Sequence, residues 1–369
     1  LVGVPNRSKG VQQIRRYHAR RSGTLLQPHS PLALKLAFRS GALDRPGKHK
    51  NHDSPIPFLG GIAIVAAFSA SILVAAIVRP PVAPIDAGGG LGELVTVLAI
   101  AVALGLVGLI DDLRPLSPLW RVAAEVAASV AIWGMDSGVR VTDSEVINLG
   151  LTVFWVVGIT NAFNLLDNMD GLSAGLGAII CLTFFVLAET NGQFLVAALS
   201  IALAGCTVGF LRYNFFPAKI YMGDGGALFI GFLVAYLGLK LRFENASRLE
   251  SALVPILACS MAIFDTSLVT VSRLATGRSP FQGGQDHVSH RLVRIGLPVP
   301  IAVGTIYCGA AGIGALAFVV SRTEPSSAWV LTSLIGMALF FLAVLLLTIP
   351  VYPESTGRSR LSAELPPDG

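Results

Sequence analysis

The chain is organised by apolar runs of membrane-spanning length. A helix needs roughly 20 consecutive apolar residues to cross the hydrocarbon layer of a bilayer. Such runs fall at 57–78, 92–110, 119–135, 145–163, 172–189, 193–212, 225–240, 252–272, 299–320 and 328–349. With no water in that layer, each run has to satisfy its own backbone polar groups, and it does so as a helix. The sequence therefore predicts an all-α fold, a polytopic transmembrane helical bundle of about ten spans. Only 13% of the 369 residues are charged, and most of these lie between the runs, which excludes an ordinary soluble globular domain. Three segments follow: a basic cytoplasmic N-terminal stretch with a first polar loop (1–56), a transmembrane region (57–350) and a cytoplasmic tail (351–369).

Basic residues orient the bundle. With the N-terminus inside, only Arg79, Arg140, Lys240, Arg242, Arg248 and Arg322 fall outside, so 21 of the 27 Lys and Arg are cytoplasmic. The positive-inside rule selects this orientation. The same sorting removes nucleic acid as the explanation of the net charge of +5. The N-terminal stretch has no apolar core of a secretory signal. Its cluster Arg15, Arg16, Arg20 and Arg21 reads as a solvated tail. Cys181, Cys206, Cys259 and Cys308 all sit within apolar runs and read as small apolar residues rather than as disulfide partners or zinc ligands.

Five polar clusters all fall at the predicted cytoplasmic ends, although orientation was argued from Lys and Arg alone. The first runs from Asp44 to His52 and on into Pro55, Pro57, Gly60 and Gly61. In it Lys50 and His52 are candidates for phosphate contact, and a basic turn at the membrane surface is the plainer reading. The second is Asp111-Asp112, directly after an apolar run. Two adjacent carboxylates at the negative end of a helix are unfavourable, and a bound cation or a role as proton acceptor would relieve them. In the third, Asn161 and Asn164 share a spacing of three with Asp167 and Asp170, so the two acids share a face if the segment is helical. The fourth is Gly223-Asp224-Gly225-Gly226, where Asp224 is either a helix cap or an acid that the flanking glycines open to phosphate or metal. The fifth joins Arg278 to Asp286, His287, His290 and Arg291 in a short loop suited to phosphate oxygens. Asp265, inside an apolar run, is a functional hypothesis by default and its role stays open.

Carboxylates suit Mg²⁺, which takes one or two of them plus substrate phosphates, with Mn²⁺ as an alternative. Arg, Lys and His suit the phosphates themselves. The set reads as phosphoryl transfer, where catalysis is positioning and charge neutralisation. No G-x-x-x-x-G-K-[ST] loop is present. An ion-coupled secondary transporter is the competing class, but it would place its acids near the bilayer midplane and often show an internal repeat.

In order and spacing these clusters resemble the polyprenyl-phosphate N-acetylhexosamine-1-phosphate transferases over roughly residues 31–320. Asp111-Asp112, Asn161-x-x-Asn164-x-x-Asp167-x-x-Asp170-Gly171, Gly223-Asp224 and Asp286-His287-x-x-His290 carry the likeness. Asn168 departs from it, since many members have Gly there. The last loop has His287 and His290 in place of three consecutive histidines, which points away from the phospho-N-acetylmuramoyl-pentapeptide transferases, the alternative within the family. The resemblance implies an enzyme of the cell membrane that joins a UDP-N-acetylhexosamine to a polyprenyl phosphate, with a homodimer left open. It also implies Asp224 and Asp112 as metal ligands and Asp111, Asp112, Asp167, Asp170 and His287 as catalytic. Lys50, His52, Asn161, Asn164, Arg278 and His290 would be the substrate contacts.

Overall fold

The computed structural model describes residues 43–44, 56–57, 59–78, 91–243 and 248–351. Lys50 and His52 lie outside the described residues, as does most of the first polar loop. Two short strands, β1 (Leu43–Asp44) and β2 (Ile56–Pro57), pair antiparallel at the base of that loop. Everything else of regular structure among the described residues is helical: α1 (Gly60–Val78), α2 (Leu91–Leu113), α3 (Pro118–Gly134), α4 (Glu145–Leu166), α5 (Leu172–Glu189), α6 (Phe194–Asn214), α7 (Gly223–Lys240), α8 (Arg248–Ala258), α9 (Ser260–Ala275), α10 (Val288–Arg294), α11 (Val299–Val320) and α12 (Pro325–Leu347).

Eight of these helices are long and apolar enough to cross a membrane, and the pair α8–α9 makes a ninth if it is one bent span. The remaining expected segment is α3, whose 17 residues carry Arg121 and Glu125. The expected single span 252–272 is broken, because α8 and α9 meet at 76° across Cys259. Pro255 lies inside α8 and cannot donate to the helix ladder, a usual origin of such a bend.

Helix α7 is the axis of the bundle, with every residue from Gly225 to Leu239 buried. It packs against α1, α2 and α4. Small residues make this close approach feasible. A Cβ on Gly61 of α1 would collide with the backbone of Gly226, and one on Gly108 of α2 would collide with the carbonyl of Asp224. The N–H groups of Gly60 and Gly61 donate to the carbonyls of Tyr221 and Met222 at 3.0 and 2.8 Å. The chain thus passes from the first polar loop into α1 beside the start of α7. At the opposite extreme, α12 is only 6% buried over its apolar window.

Candidate active site

The acidic clusters converge at one end of the bundle, around the first turn of α7. Helix α2 runs further than its apolar stretch implies and ends at Leu113, so Asp111 and Asp112 form its last turn rather than following it. Asp112 reaches across to α7: its Oδ1 accepts from the Asp224 N–H at 3.0 Å and its Oδ2 from the Gly225 N–H at 3.2 Å. Those amides are among the first-turn donors that a helix leaves unsatisfied. The positive end of α7 therefore offsets the unfavourable position of Asp112 at the negative end of α2. Gly223 starts α7 with φ of 74°, a conformation costly for any residue with a Cβ.

Asp224 is not the cap of its own helix. The cap position is Met222, and the Asp224 carboxylate points to side chains of two other helices. Asn164 Nδ2 donates to its Oδ1 at 2.8 Å, and Arg121 Nη1 donates to its Oδ2 at 2.7 Å. The same Arg121 nitrogen donates to Asp111 Oδ2 at 2.8 Å. Asp224 is the more open of the two acids, its side chain 32% exposed against 10% for Asp111, and so the better placed to meet a ligand.

The Asn/Asp segment divides in two. Helix α4 ends at Leu166, with Asp167 as its C-cap, so Asp167 and Asp170 do not continue one helical face. Asp167 stays with the acids and accepts the Gly223 N–H. Burial, then the charges of Asp224 and Asp112, push its carboxyl up to about 7. Asp170 turns to the loop before α7, where its Oδ2 accepts the Ala218 N–H at 2.8 Å. Asn214 Oδ1 accepts the Gly171 N–H at 3.1 Å and Tyr307 OH donates to the Gly171 carbonyl, which holds the α4–α5 turn in place. Asn161 is directed into the bundle, donating to Glu125 and to the Val157 carbonyl.

The histidine loop is held by buried ions. Asp265 accepts from His287 Nδ1 and from the Val288 N–H, each at 2.7 Å. Asp286 takes a two-pronged pair from Arg273, at 2.8 and 2.9 Å. Arg291 donates to the carbonyls of Leu346 and Ile349, at 2.7 and 3.0 Å, and so ties α10 to the end of α12. The His290 ring lies edge-on to His287 with centroids 6.2 Å apart. Burial, then the neighbouring His287, lower the His290 imidazole to about 4. Arg278 is half-buried in the loop between α9 and α10. Ser289 Oγ donates to Asn168 Oδ1 at 2.7 Å, joining the histidine helix to the turn that carries Asp167 and Asp170.

Two residues central to this arrangement, Arg121 and Glu125, enter the sequence reading only as topological charges or not at all. Their signal was present: two ionisable groups one turn apart in an apolar run mark a site by default. Asp265, whose role the sequence leaves open, positions His287. Among the described residues no three His, Cys, Asp or Glu side chains converge tightly enough to hold an ion by themselves.

Comparison with known proteins identifies the family. The profile of glycosyl transferase family 4 matches residues 94–242. A Bacillus subtilis protein named "probable undecaprenyl-phosphate N-acetylglucosaminyl 1-phosphate transferase" is 32% identical over 89% of this chain and 88% of its own length. A Mycobacterium tuberculosis decaprenyl-phosphate N-acetylglucosaminephosphotransferase is 32% identical over 75% of this chain and 76% of its own. A Clostridium botulinum phospho-N-acetylmuramoyl-pentapeptide-transferase is 29% identical over 68% and 80%. With its apolar helices, its acid-lined bundle end and a likeness spread over most of its length, the chain belongs to glycosyl transferase family 4, and it is a multi-span membrane enzyme of that family.

Proposed function

We propose that the protein transfers N-acetylglucosamine 1-phosphate from UDP-N-acetylglucosamine to a polyprenyl phosphate in cell-envelope polysaccharide synthesis. An oxygen of the lipid phosphate forms a bond to the β-phosphorus, the bond from that phosphorus to UMP breaks, and polyprenyl-diphosphate-N-acetylglucosamine and UMP result. The observation that carries this reading is the gathering of Asp111, Asp112, Asp167 and Asp224 around the start of α7, at one end of an apolar bundle. A site at a bundle end lets a lipid arrive from the side and a nucleotide from water. The names of the B. subtilis and M. tuberculosis relatives support the acceptor and the sugar.

The donor set fits Mg²⁺. Hard carboxylate oxygens are present, and among the described residues too few converge to form a full cage, as expected when substrate phosphates complete the shell. Asp224 is the proposed ligand, with Asp112 beside it. The ion would supply neutralisation of the pyrophosphate charge. The protein's own groups do the rest. Arg121 brings a positive charge to the acid cluster, beside Asp111 and Asp224. Asn164 fixes the Asp224 carboxylate, and Asp265 holds His287 through Nδ1, which leaves Nε2 as the nitrogen for a contact with the departing UMP. The excess of Lys and Arg at this end supports its facing the cytoplasm across the cell membrane.

The test is transfer by purified protein from radiolabelled UDP-N-acetylglucosamine to polyprenyl phosphate with Mg²⁺, read as label extracted into butanol. Label in the lipid phase that disappears with a chelator supports the proposal. Transfer only from UDP-N-acetylmuramoyl-pentapeptide, or none from either donor, overturns it.

A further inference from the structure

We propose that Arg121 is a displaceable counter-ion of the acid cluster, and that Glu125 is the positioning residue that receives its guanidinium when a divalent cation takes its place. The inference rests on the cation role of Asp224 set out above.

A single nitrogen, Arg121 Nη1, bridges Asp111 and Asp224. The Asp224 Oδ2 that it occupies belongs to the more open of the two acids it bridges. A guanidinium and a divalent cation repel, and they compete for the same oxygens, so one has to yield when the other binds. The inner edge of the guanidinium is not satisfied in this arrangement: Arg121 Nε is buried and has no hydrogen-bond partner among the described residues. A desolvated donor left unpaired is costly, and a second position that pairs it is favoured.

Glu125 offers that position. It lies four residues further along α3, on the same face. Its exposure is 0%, so its carboxylate is a buried polar group that needs partners. Oε2 accepts from Asn161 Nδ2 across on α4, which fixes the group, while Oε1 is buried and unpartnered among the described residues. One turn apart on one helix stand a buried donor without an acceptor and a buried acceptor without a donor among the described residues. The planar fork of Arg suits such a carboxylate, and a short swing of the side chain along α3 pairs them. In the alternative, Glu125 is a fixed packing group and Arg121 a permanent clamp. In that case both stay where they are whatever binds at Asp224.

Mn²⁺ binding to purified wild type, Arg121→Gln, Glu125→Gln and the double variant separates these cases. Free Mn²⁺ is measured by electron paramagnetic resonance with no substrate present. Gln at 125 keeps an acceptor for Asn161 but loses the charge that draws the guanidinium. Arg121→Gln should lower the Kd about fivefold or more by removing the competitor. Glu125→Gln should raise it about threefold or more, because Arg121 then stays over Asp224. The double variant should match Arg121→Gln alone, since no guanidinium remains to be placed. An Arg121→Gln Kd equal to that of the wild type overturns the proposal, and this variant alone decides if Glu125→Gln is recovered unfolded. A Glu125→Gln effect that persists in the Arg121→Gln background reduces Glu125 to a distant charge and overturns its positioning role. Absence of Mn²⁺ binding to the wild type overturns the cation reading of Asp224 together with this one. Binding without the shifts overturns this one alone.

Discussion

Replacement of Asp265 by Asn isolates the orientation of His287 from its presence. The Asp265 carboxylate accepts two hydrogen bonds of 2.7 Å, one from His287 Nδ1 and one from the Val288 N–H. Both side chains are buried, at 3% and 4% exposure, so water cannot replace a lost partner. With Nδ1 donating to Oδ2, Nε2 is the nitrogen left for substrate, an acceptor in the neutral ring and a donor in the protonated one. An Asn at 265 has one acceptor oxygen. If it serves the Val288 N–H, the amide NH₂ faces Nδ1, two donors oppose each other, and the bond that orients the ring is gone. The loss is one hydrogen bond to a charged acceptor, about 1.5–3 kcal/mol. If that energy is needed to keep Nε2 aimed at the pyrophosphate, kcat/KM falls about 10- to 100-fold at roughly 1.4 kcal/mol per decade. The assay is steady-state transfer to polyprenyl phosphate on monodisperse protein, with thermal denaturation alongside. His287→Ala by itself should lower kcat and kcat/KM together by about 10²-fold, as for a donor used in the transition state. In the His287→Ala background Asp265→Asn should cost little more, because the ring that it orients is gone. A variant within twofold of wild type, or fully additive losses, would refute the reasoning and leave Asp265 a packing residue.

Three further outcomes follow from the same geometry. Asp224→Asn keeps an acceptor for Asn164 and loses the charge, so transfer should fall below about a tenth of wild type, at least ~1.4 kcal/mol in barrier, with an unchanged melting temperature. Activity above that level in the butanol-extraction assay would remove Asp224 from the metal site. Gly108→Ala places a methyl group against the Asp224 carbonyl and should cost about 1–3 kcal/mol in overpacking, visible as a lowered Tm. An unchanged Tm would mean that α2 and α7 are not in the contact described. His290 has its folded pKa lowered to about 4, below its ordinary value, so the unfolded chain binds the extra proton between the two. Its contribution is therefore complete at neutral pH and is lost as pH falls from about 6.5 to about 4. His290→Gln should flatten the pH dependence of thermal stability in that window, and a slope equal to that of wild type would contradict the assignment.

The sequence announces the functional end of this bundle because charge is scarce in it. Asp111, Asp112, Asp167 and Asp224 are conspicuous against apolar runs, and the structure gathers all four around the start of α7. What the sequence does not disclose is who satisfies whom. Asp112 lies 112 residues before the helix it caps, and no local pattern connects Asp112 to the Asp224 N–H. Asp224 reads as either a helix cap or an open acid until the fold puts Met222 at the cap position. The break at Cys259 is hidden for a related reason: apolar composition runs evenly through 252–272, and Pro255 alone is tolerated within many membrane helices. Arg121 is the most instructive case. A cation between an apolar run and the membrane surface is what topology alone demands, so its charge is explained before any site is considered. Yet two adjacent acids at a helix C-terminus demand a positive partner too. The fold meets part of that demand from within the chain, through Arg121 and the α7 amides, before any ion is bound. A single guanidinium pairs with two of the four acids, and burial beside Asp224 and Asp112 still pushes Asp167 up to about 7. The charge that remains is the one a divalent ion and a pair of substrate phosphates would share.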